Sequence, residues 1–173
     1  MRTSVPCLVL LLASLVPDVV AAQGKPKPKP QPQSHCVTGE RNYLSCSLGK
    51  KVLSVCTQGS GEEMTVQYRF GALGKVEKKA PDPALPVAQA VTGGRVMFSG
   101  GGGLWLRFKS GDVTYVVFSG IGRGWESEGV AVEKDGKEIA RLQCKSAPFS
   151  DSGGDEILDF TDDGGMPEFD FNP

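Results

Sequence analysis

Apolar and polar residues alternate in short runs along most of this chain. Val66-Gln67-Tyr68-Arg69-Phe70 alternates strictly and stops at Gly71. A period of two places every second side chain on one face, the pattern of a half-buried strand. Arg95 to Ser99, Leu104 to Phe108 and Val113 to Phe118 also read as strands between glycine turns, Leu104 to Phe108 being rich in strand-forming residues. Gly129 to Lys134 and Lys137 to Leu142 flank Asp135-Gly136, a strong hairpin signal. Leu44 to Leu48 and Lys51 to Val55 read as a hairpin turning at Gly49-Lys50. In that register Leu44, Cys46, Leu53 and Val55 share one face and Cys56 takes the other. Gly93-Gly94 and Gly100 to Gly103 read as turns, the latter alternatively as a bulge before Leu104. Pro81 to Pro86 reads as a loop, followed by a helical turn or an edge strand at Val87 to Val91. No stretch sustains a helical period. The pattern predicts an all-β domain, a small antiparallel barrel or sandwich of seven to eight strands, because closure or face-to-face packing hides sheet edges.

The two ends differ from this body. Residues 1–22 have a single Arg2, an apolar run from Leu8 to Val16, Pro17, and small residues at Val20-Ala21-Ala22. That run falls well short of the ~20 apolar residues a membrane helix needs, so the segment reads as a signal peptide cleaved after Ala22. Residues 23–35 carry Lys25-Pro26-Lys27-Pro28-Lys29-Pro30, which forbids helix and sheet and reads as an extended linker. Residues 36–149 form the predicted domain, with 15 basic and 11 acidic residues. Residues 150–173 carry eight acids and no base, and read as an acidic, mobile tail. Ile157, Leu158, Phe160, Phe169 and Phe171 also allow that tail to fold back on the basic body.

Composition narrows the chemistry. One histidine in 173 residues argues against His-based zinc sites and acid–base catalysis, and no cofactor or metal is expected. Beyond the signal, Cys36, Cys46, Cys56 and Cys144 make an even set, which in an exported chain reads as two disulfides. Three connectivities are open. The hairpin faces disfavour Cys46–Cys56 and point to Cys46–Cys144 with Cys36–Cys56. Basic residues are spread without interleaved aromatics, so nucleic acid is not an expected partner.

Catalytic motifs are partial at best. Asp151-Ser152-Gly153-Gly154 is similar to a trypsin-like nucleophile turn, but His35 lies beside the proline linker and the chain is too short for two barrels, so it reads as a glycine turn. Asp159 to Gly164 matches part of a calcium loop, with Thr161 and Asp170 departing from it. Gly120-Ile121-Gly122-Arg123-Gly124 lacks the helix a dinucleotide loop requires. Glu126 and Glu128, two apart beside Trp125, offer the paired carboxylates of a glycoside hydrolase. Trp125 among glycines, read as part of a Gly120 to Gly129 loop, makes Arg123, Trp125 and Glu126 the candidate binding residues, with no catalytic residue assigned.

Ser45 to Cys56, Tyr68-Arg69-Phe70-Gly71 and Tyr115 to Gly122 resemble a family of short exported bacterial proteins of uncharacterised function. The layout also resembles, more loosely, the periplasmic inhibitors of c-type lysozyme, small antiparallel barrels with a disulfide. The first likeness implies export and a shared fold; neither transfers an active residue. The expected function is a non-enzymatic binding or envelope-interaction module, periplasmic or secreted, with an envelope or extracellular protein or a glycan as partner. The alternatives are a lysozyme-inhibitor-like protein and a carbohydrate-active hydrolase using Glu126 or Glu128.

Overall fold

The computed structural model describes residues 33–148, 150, 156–163, 165 and 169–171. The signal peptide with its cleavage after Ala22, the linker as far as residue 32 and the Asp151 to Gly154 turn lie outside the described residues. Among these residues, nine strands form two antiparallel sheets. The first sheet holds β1 (Arg41–Ser47), β2 (Val52–Gln58), β3 (Thr65–Ala72) and β4 (Lys75–Pro86) in sequential order. A single helical turn, α1 (Val87–Ala90), leads to the second sheet: β5 (Val91–Phe98), β6 (Gly101–Ser110), β7 (Val113–Gly122), β8 (Trp125–Lys134) and β9 (Lys137–Gln143). The sheets pack face to face, so the fold is a sandwich and not a closed barrel.

Alternation dictates that packing. Leu44, Cys46, Leu53, Val55, Val66 and Tyr68 from the first sheet meet Leu106, Phe108, Val117 and Val130 from the second in one core. Tyr68 bridges the sheets, stacking on Tyr115 at 4.9 Å and meeting Phe108 at 5.9 Å. The expected Gly49-Lys50 turn pairs Leu44 with Val55 and Cys46 with Leu53. Asp135 and Gly136 both adopt positive φ, +51° and +71°, the geometry a two-residue hairpin turn favours.

Four expected irregular segments lie in strands; one is Gly93-Gly94, read as a turn but paired within β5 with Leu106 and Trp105 of β6. Pro81 to Pro86 belongs to β4, where Val66 pairs with Leu85 and Tyr68 with Ala80, so Pro81 to Ala84 bulge from an edge strand. Proline fits there because an edge strand has amide positions that need no partner. Gly101 to Gly103 open β6, paired with Phe98, Met97 and Val96. Gly120 to Gly129 is the end of β7, a two-residue turn at Arg123-Gly124, and the start of β8, pairing Gly122 with Trp125 and Ile121 with Glu126. The glycine segments lengthen β6, β7 and β8, and β4 is the added strand that makes nine where seven to eight were expected.

Each sheet's outer face is covered by a chain end. Residues preceding β1 lie across the first sheet in a buried polar network. The His35 amide donates to Ser54 Oγ (2.9 Å), and Arg69 donates to the His35 carbonyl (2.9 Å) and to Glu40. Cys36 bonds Cys56 on that outer face, and Cys46 bonds Cys144 on the core side, the pairing to which the hairpin faces point. At the other end, the turn Glu156–Phe160 buries Ile157 completely in the main core, and the Gly93 amide of β5 donates to the Asp162 carbonyl (2.9 Å). Phe169 and Phe171 are buried on the outer face of the second sheet with Trp105, Val116, Phe118 and Ala131. The described parts of the acidic tail therefore take the fold-back that their apolar residues allow.

Candidate functional site

The turn at Arg123-Gly124 decides where the sequence-derived candidates point. Gly124 carries φ +83°, which glycine adopts without strain. Beyond it, strand alternation sends Trp125 and Glu126 to opposite faces of the sheet. Trp125 is half-buried on the outer face, edge-on to Phe98 with ring centroids 5.1 Å apart. It packs with the outer-face cluster and covers Gly122. Glu126 stands exposed on the inner face. Arg123 is exposed in the turn, and its amide donates to the Ser99 carbonyl at 3.2 Å, tying the β7–β8 turn to the β5–β6 turn. The three residues thus do not converge on one surface.

Glu126 instead joins residues to which sequence spacing gave no common address. The inner face of the second sheet extends past the cover of the first. Along it, Leu106, Val117 and Val130 are sealed in the core, whereas Met97 is 85% and Ile121 50% exposed. Two cross-strand rows build this end. Arg95, Leu104, Ser119 and Glu128 pair in register across β5 to β8, followed by Met97, Gly102, Ile121 and Glu126. They line an open groove of about 420 Å³. Gly102 keeps its floor low, since a Cβ there would lie 2.9 Å from the Val96 carbonyl oxygen and 3.3 Å from Met97 Sδ.

The groove's electrostatics centre on its two carboxylates. Partial burial pushes the Glu128 carboxyl above the ordinary glutamate range; the Ser119 hydroxyl, 3.4 Å away, opposes that shift, and the Glu126 charge adds to it. On the far side, the Arg95 guanidinium lies 3.4 Å from Asp159 of the C-terminal turn. The result is an apolar strip with a doubly acidic rim on rigid paired backbone.

A depression of about 410 Å³ on the outer face is lined by Gln89, Thr92, Arg107, Lys109 and Thr114, but Arg107 already stacks on Trp105 (4.2 Å) and faces Glu133 (3.6 Å). Among the described residues, Cys36, Glu40 and Cys56 come close enough together to suggest metal ligands. Both sulfurs are consumed in the Cys36–Cys56 disulfide and the Glu40 carboxylate is held by Arg69, so the trio offers no free donor group.

No helix among the described residues is long and apolar enough to cross a membrane. Two disulfides suit an oxidising, extracytoplasmic compartment. No protein-family model, no curated protein and no solved structure matches this chain.

Proposed function

We propose that this chain is an exported, non-enzymatic binding module that recognises an envelope or extracellular protein through the groove of Arg95, Met97, Leu104, Ile121, Glu126 and Glu128. One observation carries the reading: Met97 and Ile121 stand exposed beside two carboxylates on a sheet face that is elsewhere sealed core. Contiguous exposed apolar surface with a polar rim is the composition of an interaction site. A paired-strand scaffold holds it without the ordering cost a loop pays on binding. The partner chemistry that fits is an apolar segment carrying basic residues, which the Glu126 and Glu128 carboxylates complement. The two disulfides support export to the periplasm or medium, and the signal-peptide pattern of the sequence supports a mature chain starting after Ala22.

The test pairs the wild-type chain with a Met97→Asp/Ile121→Asp variant as baits for envelope fractions, and runs both in a lysozyme-inhibition assay, which tests the inhibitor alternative. Both substitutions fall at exposed positions, so the thermal transition is expected to stay in place. Partner retention is expected to fall at least tenfold. Equal retention by the two chains refutes the assignment.

The hydrolase reading has one observation in its favour. Glu128 is biased toward its protonated form next to Glu126 on the same strand face, the division of roles an acid–base pair needs. Cleavage of peptidoglycan or an oligosaccharide that is lost in Glu128→Gln would replace the binding reading with this one.

A further inference from the structure

Lysines that lie scattered along the chain meet at one end of the first sheet. The β1–β2 and β3–β4 hairpins both carry the tripeptide Leu-Gly-Lys at the turn, as Leu48-Gly49-Lys50 and Leu73-Gly74-Lys75. Val52 of β2 pairs with Gly71 of β3, which sets the two tips side by side, and Lys51 forms an ion pair with Glu77 from one tip to the other. The Lys145 amide donates to the Ser47 carbonyl at 2.7 Å and brings a further lysine to the first tip. Lys78 and Lys79 follow on β4, opposite Phe70 and Arg69.

Lys50, Lys51, Lys75, Lys78, Lys79 and Lys145 thus gather with one acid, Glu77. The other nine basic and ten acidic residues of the domain nearly cancel, so its positive excess sits at this end. Lys50, Lys75, Lys79 and Lys145 are exposed. Beside Lys75 stands apolar surface: Leu73 is 54% and Val76 36% exposed. The matching leucine of the first tip, Leu48, packs with Phe70 against the main core and anchors this end of the sheet. Leu73 therefore occupies the place where a polar turn residue would cost nothing, and it adds nothing to the core.

We propose that the paired tips are a docking surface for an anionic lipid bilayer, with the lysine ammonium groups on the lipid phosphates and Leu73 and Val76 entering the boundary beneath them. Charge complementarity carries the attraction, since each basic residue held near an anionic leaflet strengthens binding about fivefold. That attraction needs no fixed geometry, which suits long, flexible lysine side chains. The exposed leucine selects a bilayer over a soluble polyanion. An anionic polysaccharide engages the lysines and gains nothing from Leu73, whereas the boundary between headgroups and acyl chains takes up apolar side chains. Two paired hairpins hold the tips in place, so little ordering is lost on docking. The surface belongs to the first sheet and does not rest on the reading of the inner-face groove, which lies on the second.

The experiment floats the exported, processed chain with vesicles of phosphatidylcholine alone and of phosphatidylcholine mixed with phosphatidylglycerol. Binding to the mixed vesicles is expected to be at least tenfold tighter and to weaken as added salt screens the charges. Lys50→Glu/Lys75→Glu is expected to lose at least tenfold and Leu73→Ser at least threefold, with the thermal transition in place because all three side chains are exposed. Dextran sulfate, a polyanion without a bilayer, is expected to bind the wild-type and Leu73→Ser chains equally. In a Leu73→Trp chain, mixed vesicles are expected to move the tryptophan emission to shorter wavelength. Equal binding to the two kinds of vesicle, or indifference to either substitution, overturns the proposal. A Leu73→Ser loss as large on dextran sulfate as on vesicles overturns it too, because the lysines alone then account for binding. If Leu73→Ser does not fold, the Leu73→Trp chain decides: unchanged emission on mixed vesicles overturns the assignment.

Discussion

Arg69 grips Glu40 with two nitrogens, at 2.7 and 2.6 Å, and so fastens the segment ahead of β1 to the middle of the first sheet. The side chains are only 11% and 13% exposed, so this pair is far better shielded than a surface ion pair. Burial by itself would raise the Glu40 pKa. The Arg69 hydrogen bonds and charge, with the Val37 amide, outweigh it and hold the carboxyl below its ordinary 4.5. A depressed folded-state pKa contributes stability that is present above the unfolded value and is lost as pH falls through the folded one. Thermal melts should therefore show stability declining as pH drops below about 4.5. Arg69→Ala, which strands a buried carboxylate, should cost about 3 kcal/mol at pH 7.

Glu128 should behave in the opposite sense. Its folded-state pKa lies above the ordinary value, so the fold favours the protonated form and loses stability as pH rises through that raised pKa. Glu128→Gln should raise the melting temperature at pH 7 and leave it unchanged at pH 3, where the native carboxyl is already neutral. A Glu128→Gln chain no more stable than wild type at pH 7 contradicts this.

The two disulfides should contribute unequally. Cys46–Cys144 spans 98 residues and Cys36–Cys56 spans 20. In the chain-entropy account the longer loop contributes about 1.4 kcal/mol more. Urea denaturation of Cys46→Ser/Cys144→Ser and Cys36→Ser/Cys56→Ser should rank them in that order. The reverse ranking would show that local packing, and not loop closure, dominates.

Ile157 tests whether the C-terminal turn belongs to the folded unit. Its side chain is fully buried in the main core although it lies in the acidic segment. Ile157→Ala should cost about 3 kcal/mol in chemical denaturation, as other large-to-small core changes do. A cost near zero would mean that the turn detaches without consequence.

Trp125 separates stability from recognition. It is half-buried against Phe98 on the face opposite the groove. Trp125→Ala should therefore destabilise by about 2 kcal/mol, less than a full core truncation. Binding through Met97 and Ile121 should survive. Loss of the partner with an unchanged melting temperature would move the recognition surface to the outer face.

Much of the fold was legible in the order of residues. Alternation in segments such as Val66 to Phe70 and Leu104 to Phe108 sets which side chains share a face, because a strand offers only two. Asp135-Gly136 and the faces of the first hairpin likewise carry a turn and a disulfide pairing in local geometry alone. Three matters required the assembled sheets. Gly101 to Gly103 and Gly120 to Gly124 look like loop because glycine favours turns. Most of these glycines lie in paired strands, and at Gly103 and Gly120 the missing side chain makes room for Phe171, some 50 residues or more further along the chain. Pro81 to Pro86 joins β4 because an edge position forgives the missing amide hydrogens. The groove arose from a mismatch of extent: the second sheet outruns the first, and that overhang leaves Met97 and Ile121 exposed. Local pattern tells a residue which face it lies on; only the packing of the other sheet and of the chain's own ends decides whether that face is covered.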